Sequence, residues 1–413
     1  MGDPSVNEPV VLLLFAGVML FAMLGRVVAR RIGLPGMVAF VLIGLGLNAI
    51  ATAAGGMPAS VVVLVEILAK IGVVVLLFQA GMHTDVTRLL DQIGPVAITW
   101  AMNVLVAGGF GFLAARTLLD MALIPSLVIA VALTATSVGL SVAVWEEHAR
   151  EDSRTGRYFL GVAGLDDISA VVLMAILFAV APVLRGQGDG GIAEVILDRL
   201  LWTLAKLVGF GGLCLLFSRY VEHRLRAALQ RLESPAAALV SVVAVSIIIA
   251  ASAGLLGFSV AIGAFFAGLA FSRDPDALRA HIAFDAIYDI FVPFFFIGIG
   301  VFIDLTAAGE AIIPGLVLLA AAIAGKLISN GGTALAYGSP LAATALGVSM
   351  VPRAEITMII MQKAHSLGEW AAPQSALAAM VFVSLVTTIV GPPVLDAILK
   401  RIEHQESEPE DSA

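Results

Sequence analysis

Two aspartates stand side by side in GVAGLDDISAVVL, residues 161–173, with no basic residue between Arg157 and Arg185. Neighbouring carboxylates in poorly hydrated surroundings hold protons more tightly than a lone exposed one, as burial does. A carboxylate of that kind takes either a proton or a hard cation that prefers oxygen ligands. Competition of the two for one position amounts to exchange.

Among the charged residues inside long apolar runs and away from their ends, seven stand out: Glu66, Lys70, Asp166, Asp167, Lys326, Arg353 and Glu355. A charge near a bilayer centre costs a few kcal/mol on insertion scales, so such residues pair or face a cavity. Glu66 and Lys70 are four apart in the favourable order and can neutralise each other as a purely structural pair. Arg353 and Glu355 follow Pro352 and are only two apart, so a break in the helix could bring them together. Alternatively they complement the partial charges at exposed helix ends, the supporting role we expect. Asp166 lies about 15 Å into its segment at the standard helical rise, roughly half of a ~30 Å hydrocarbon core. Lys326, in AAAIAGKLISNGG, is similarly deep on another segment. Neither Asp166 nor Lys326 has a complementary charge within four residues, so a pair across helices is expected. Adjacent helical residues point ~100° apart, so one aspartate can hold Lys326 while the other stays open.

The elements that must carry these residues are membrane helices. Of 413 residues 60% are hydrophobic and 13% charged, with a net charge of −8 and a mean hydropathy of +1.02. That excludes a soluble domain and defines an all-α polytopic membrane protein. Cutting at polar and Pro/Gly breaks leaves thirteen segments, near 8–29, 35–53, 60–82, 92–118, 124–146, 156–184, 194–219, 236–254, 257–273, 284–304, 310–336, 342–366 and 374–400. The gap between the eighth and ninth is the shortest. Basic residues concentrate after odd-numbered segments (Arg30, Arg31, Arg88, Arg150, Arg154, Arg157, Arg219, Arg224, Arg226, Arg231, Arg273, Arg279, Lys400, Arg401). That places the N-terminus outside and the C-terminus in the cytoplasm, in a multi-pass protein of a bacterial inner membrane. The N-terminal residues lack a basic stretch, so segment one reads as a retained helix. Cys214 is the single cysteine, which leaves no intramolecular disulfide. The acidic tail at 404–413 reads as a solvated end.

With segment seven as a linker, segments 1–6 and 8–13 form two six-helix sets of opposite topology. Inverted repeats of this kind carry broken helices at corresponding places near the midplane. Segments five and twelve correspond, and both carry the signs of a break. Segment five holds Thr134, Thr136, Ser137, Gly139 and Ser141, whose hydroxyls can take over freed backbone groups. Segment twelve holds Pro352, which removes a helix hydrogen bond.

The chain resembles the monovalent cation:proton antiporters, in particular their thirteen-helix NapA-like and Kef-like branch. The resemblance spans essentially the whole chain and rests on ALTATSVGLSV (132–142), GLDDISAVVL (164–173), GAFFAGLAFS (263–272), FVPFFFIGIGVFIDL (291–305), AGKLISNGG (324–332) and VPRAEI (351–356). It implies the crossed, discontinuous-helix antiporter fold, with dimer-domain helices at 1–91 and 234–307 and core-domain helices at 92–190 and 308–403. A linker helix and loop at 191–233 joins them, and the core moves as an elevator in a homodimer. By match to the paired-aspartate motif, Asp167 is the ion and proton carrier, with Na+ as its cation. Asp166 matches the position that pairs with the membrane lysine, here Lys326, and Thr136 and Ser137 match unwound-helix positions near the ion. An aspartate at 166 resembles the electrogenic branch. The family's commoner PRGE is PRAE here, so Ala354 stands where glycine would bend more freely.

Kef-type potassium systems usually carry a C-terminal nucleotide-binding domain, and this sequence stops soon after segment thirteen; the expectation is therefore sodium/proton exchange, with lithium as a further substrate and K+/H+ exchange as the alternative. A passive cation channel and a Na+-coupled organic-anion symporter are the competing classes; neither couples cation flux to protons. No phosphate-binding glycine loop or metal-ligand helix motif is present, so neither enzymatic activity nor a cofactor is expected. The partners are the cation, the proton and the bilayer, with no nucleic acid. His83, beside the basic loop HTDVTRLL, reads as a surface histidine before it reads as a pH sensor.

Overall fold

The computed structural model describes residues 8–84, 94, 96–150, 153–186, 192–222, 224, 235–272, 277–303, 309–336 and 338–407, and all regular structure among them is helical. Helix occupies each apolar segment, as the absence of water at membrane depth requires: every backbone group must be satisfied within its own segment. In chain order the helices are α1 (Glu8–Arg31), α2 (Gly36–Ala53), α3 (Ala59–His83), α4 (Val96–Leu118), α5a (Leu123–Thr134), α5b (Val138–Glu147), α6 (Arg154–Arg185) and α7 (Glu194–Glu222). There follow α8 (Pro235–Leu255), α9 (Val260–Ala270), α10 (Ala277–Phe302), α11 (Ile312–Ala334), α12a (Pro340–Ser349), α12b (Glu355–Ser366) and α13 (Gln374–Ser407). Among the described residues nine helical stretches are long and apolar enough to cross a membrane. The protein is a multi-pass membrane protein.

Two sequence expectations change in detail, and a third is sharpened. The short gap between segments eight and nine is a true turn: Gly257 adopts φ +89°, a left-handed conformation that costs glycine little. Ser259 then caps α9, its Oγ accepting from Ile262 N at 3.2 Å. Helix α9 has 11 residues, about 16 Å at the standard rise, where a full span was expected. Helix α13 runs to Ser407, so the first residues of the acidic tail are helical; residues 408–413 lie outside the described residues, as do Arg88, Arg226, Arg231 and Arg273 of the charge asymmetry.

The chain divides into two compact units, Met1–Thr84 with Val208–Leu305, and Asp85–Leu207 with Thr306–Ala413. In the first, helices meet backbone to backbone through reciprocal glycines. A Cβ on Gly44 would strike Ile297 O of α10, and one on Gly300 would strike Val41 O of α2. Gly81 of α3 stands against Phe265 O of α9, and Gly268 of α9 against Phe78 O of α3. Lipid tails are as apolar as leucine, so membrane helices associate by such close packing rather than by expelling water. Aromatic rings fill the remainder: Phe78 lies 4.8 Å from Phe284 and Phe15 stacks on Phe294 at 5.4 Å, centroid to centroid. Glu66 and Lys70 pair at 2.7 Å with side chains 52% and 73% exposed, the local neutralisation expected of them.

The second unit contains both broken helices and three helix distortions. Helix α4 widens into π turns at Asn103–Ala107 and Ala114–Leu118, and α11 does so at Leu327–Gly331. At the end of α5b, His148 is gripped by two carboxylates of α13: Nε2 lies 3.0 Å from Asp396 Oδ1 and Nδ1 lies 2.7 Å from Glu403 Oε1. Burial works against the charged ring, but the hydrogen bonds it donates to Asp396 and Glu403, with their negative charge, outweigh that and raise the His148 pKa above its ordinary value.

Candidate functional site

The site begins where two helices stop. Helix α5a ends at Thr134, and the chain runs extended through Ala135 (ψ 144°) and Ser137 (ψ 92°) before α5b starts at Val138. Thr134 Oγ1 donates back to Val131 O at 2.8 Å, the local competition with helix that hydroxyl side chains offer. Helix α12a ends at Ser349 and α12b starts at Glu355, with Pro352 between them. Ala354 takes φ −141° and ψ −98°, so this break uses no left-handed residue.

The two breaks cross and satisfy each other. Ser137 N donates to Pro352 O at 2.8 Å, Ser141 Oγ to Ser349 O at 2.6 Å and Thr357 Oγ1 to Ala132 O at 2.9 Å. Helix α13 holds the second break from behind: Ser384 Oγ donates to Arg353 O at 2.6 Å, and Arg353 N donates to Thr387 Oγ1 at 3.1 Å. Each such bond inside a low-dielectric core nets about 1 kcal/mol, and losing one partner costs more because the other stays buried.

Charges fill the crossing. Lys326 is fully buried and its Nζ donates to Thr134 O at 2.6 Å and Thr136 Oγ1 at 2.7 Å, while Asp166 Oδ2 is 3.5 Å away. Arg353, also fully buried, donates Nη1 to Ala135 O. Both cations thus sit at the C-terminal, partially negative end of α5a, where they are stabilised. Glu355 opens α12b, the partially positive end of its helix, which favours a carboxylate. Asp166 is fully buried and takes Asn103 Nδ2 on Oδ1 at 2.6 Å. Asp167, one residue on, is only part-buried, as is Glu355. Asp167 lies within electrostatic reach of Asp166, Glu355 and Lys326. Ser137 Oγ is buried and lies within reach of the Glu355 carboxylate.

Asp166, Lys326, Thr136, Ser137, Arg353 and Glu355 therefore gather at one crossing, with Asp167 in electrostatic contact with three of its charges. One relation differs from the expectation: Lys326 makes its short bonds to the broken helix and its long one to Asp166. Arg353 and Glu355 stand at different helix ends, where they were expected. Asn103, Asn330, Ser384 and Thr387 were not singled out from sequence; a lone asparagine in ITWAMNVLVAGGF was the available signal for the first. Chemically, the part-exposed carboxylates of Asp167 and Glu355, the latter with the Ser137 hydroxyl in reach, offer oxygen ligands to a small cation, and such a carboxylate can take a proton instead.

An all-helical, multi-pass membrane protein with two crossed, interrupted helices over buried charges is the class that fold and site define. Residues 18–401 match the family described as sodium/hydrogen exchanger, transmembrane, and the chain belongs to that family of monovalent cation:proton antiporters. It is similar to the high-affinity Na+/H+ antiporter NhaS3 of Synechocystis, 26% identical over 83% of this chain and 73% of that one. It is 30% identical to the Na+/H+-K+ antiporter GerN of Bacillus cereus over 79% of this chain and 81% of the relative. Among solved structures, the sodium proton antiporter MjNhaP1 from Methanocaldococcus jannaschii shares the fold, with a TM-score of 0.63, 15% identity and coverage of 94% and 96%.

Proposed function

We propose that this protein exchanges a monovalent cation, Na+ and also Li+, for protons across a bacterial cytoplasmic membrane, with cation and proton competing for Asp167. The observation that carries this reading is the contrast at residues 166 and 167: Asp166 is sealed among buried partners while Asp167 stays part-exposed beside the two broken helices. Thr136 and Ser137 supply oxygen near the ion, Arg353 and Glu355 stabilise the helix ends, and Lys326 alternates between Asp166 and the end of α5a. A buried lysine that releases its aspartate adds a second charge to the cycle, which makes exchange electrogenic. The core-domain helices at 92–190 and 308–403 carry the site and move as an elevator against the dimer-domain helices at 1–91 and 234–307. Thirteen crossings in two inverted repeats then leave the N-terminus outside and the C-terminus inside. K+ in place of Na+ is the second reading, supported by a relative named as a Na+/H+-K+ antiporter.

The deciding experiment is electrophysiology of proteoliposomes on a solid support, with stepped Na+, Li+ and K+ at several pH values. Antiport predicts cation-evoked currents whose apparent affinity weakens as pH falls. Currents indifferent to a collapsed proton gradient would mean a channel, and labelled organic-anion uptake driven by Na+ would mean a symporter.

A further inference from the structure

Asp166 keeps its shortest contact for an amide rather than for the lysine. Asn103 Nδ2 lies 2.6 Å from Oδ1, whereas Lys326 Nζ lies 3.5 Å from Oδ2. Asn103 is itself held, because its Oδ1 accepts from Asn330 Nδ2 at 3.1 Å. Both asparagines are fully buried. Asn103 opens the π turn of α4 and Asn330 lies in the π turn that follows Lys326 in α11; π turns are rare and concentrate at functional sites. The arrangement has a cost: with Asn330 Nδ2 turned to Asn103, Asn330 Oδ1 is buried without a partner. Polar side chains often serve as glue between membrane helices, but an orphaned buried acceptor calls for a further reason.

We propose that Asn103 and Asn330 are positioning residues of the site: their paired carboxamides hold Asp166 back from Lys326, so that the buried ion pair stays loose enough to open in each transport cycle. An ion pair closed to contact in a dry interior, with charge-assisted hydrogen bonds, resists opening. Here the carboxylate is tethered on one oxygen by Asn103, and the ammonium keeps two short bonds on the end of α5a. Lys326 can leave Asp166 without leaving that carboxylate unpartnered, and Asp166 can lose the lysine without moving. The inference rests on the antiport reading for its purpose, not for its geometry.

Asn103→Ala removes the tether and lets Asp166 close on Lys326. In proteoliposomes its maximal exchange rate is expected to fall roughly ten-fold or more while the apparent KM for Na+ changes far less, the signature of a step after binding. In a Lys326→Gln background the same substitution should cost nothing further, because no pair is left to close. Losses that multiply independently would overturn the proposal. Should Lys326→Gln stall exchange, the cycle is read instead from thermal unfolding midpoints of the purified protein without cation. Midpoint shifts smaller together than in sum support the tether, and additive shifts overturn it. If Asn103→Ala fails to fold, Asn330→Ala leaves the Asn103 amide in place but unpinned, and the same cycle applies with a smaller loss. A wild-type protein without cation-driven proton movement defeats the antiport reading, whereas additive midpoints defeat the tether.

Discussion

The two compact units solve opposite problems with the same element. In residues 1–84 and 208–305, helices approach until backbone meets backbone, with glycines at 44, 81, 268 and 300 clearing the way. In residues 85–207 and 306–413, two helices are interrupted and Asp166, Lys326 and Arg353 are buried without exposure. The first arrangement tolerates no added atom; the second is built from groups that have more than one possible partner. Packing of the first kind yields a rigid body, since interiors at close packing respond to strain as a whole. Hydrogen-bonded charges of the second kind can exchange partners, which is what binding and release require.

The largest expected effect falls on the second unit's function. Asp167→Asn should abolish cation-dependent proton movement in proteoliposomes while leaving the thermal unfolding midpoint within a few degrees of wild type. Retained exchange would remove Asp167 from the carrier role and blur the contrast with Asp166.

The complementary break belongs to the first unit. Gly81→Leu drives a side chain into Phe265 O, and overpacking of this severity costs about 3 kcal/mol or more. Thermal unfolding in detergent should show a lowered midpoint or loss of monodisperse protein, where Gly46→Leu, with open space at its Cβ, should do neither. Equal effects at both glycines would mean that close approach is not what holds this unit.

A smaller effect is expected at His148, and it depends on pH. Its pKa is raised in the folded protein because Asp396 and Glu403 more than offset burial. The stabilisation is therefore fully present below the unfolded value near ~6.5 and is lost as pH rises through the higher folded value. Wild-type stability should fall over that window by about 1 kcal/mol or less for a pair of this kind at a helix end, read as a lowered unfolding midpoint. His148→Gln should flatten the dependence; an unchanged slope would assign it to other groups. The smallest change is expected for Glu66→Gln with Lys70→Gln, an exposed pair whose coupling is about 0.5 kcal/mol.

Much of the second unit was legible in the sequence because charges in apolar runs announce themselves, and because Pro352 and the hydroxyl cluster at 134–141 mark where helices cannot continue. The pairing of Asp166 with Lys326 followed from depth alone. That Lys326 prefers the α5a end did not, since its partner there is Thr134 O, a backbone carbonyl that any residue type would present. The grip on His148 is illegible for a similar reason: its carboxylates come from 248 and 255 residues away. The first unit was the least legible. Reciprocal glycines in different helices leave no periodic signal, and nothing local says which glycine faces which backbone.

A π turn holds one residue more than the helix needs, which rotates everything beyond it by about 100°. In α11 the π turn begins directly after Lys326, and in α4 it begins at Asn103. Deleting one residue usually wrecks a helix; within these turns it would make the helix more regular, restoring the ordinary phase. What it would destroy is the alignment of Asn103, Asn330 and Lys326 toward a common point. The irregularity therefore belongs to the site rather than to the scaffold, and single-residue gaps are the changes these two helices could survive as structures but not as parts of a transporter.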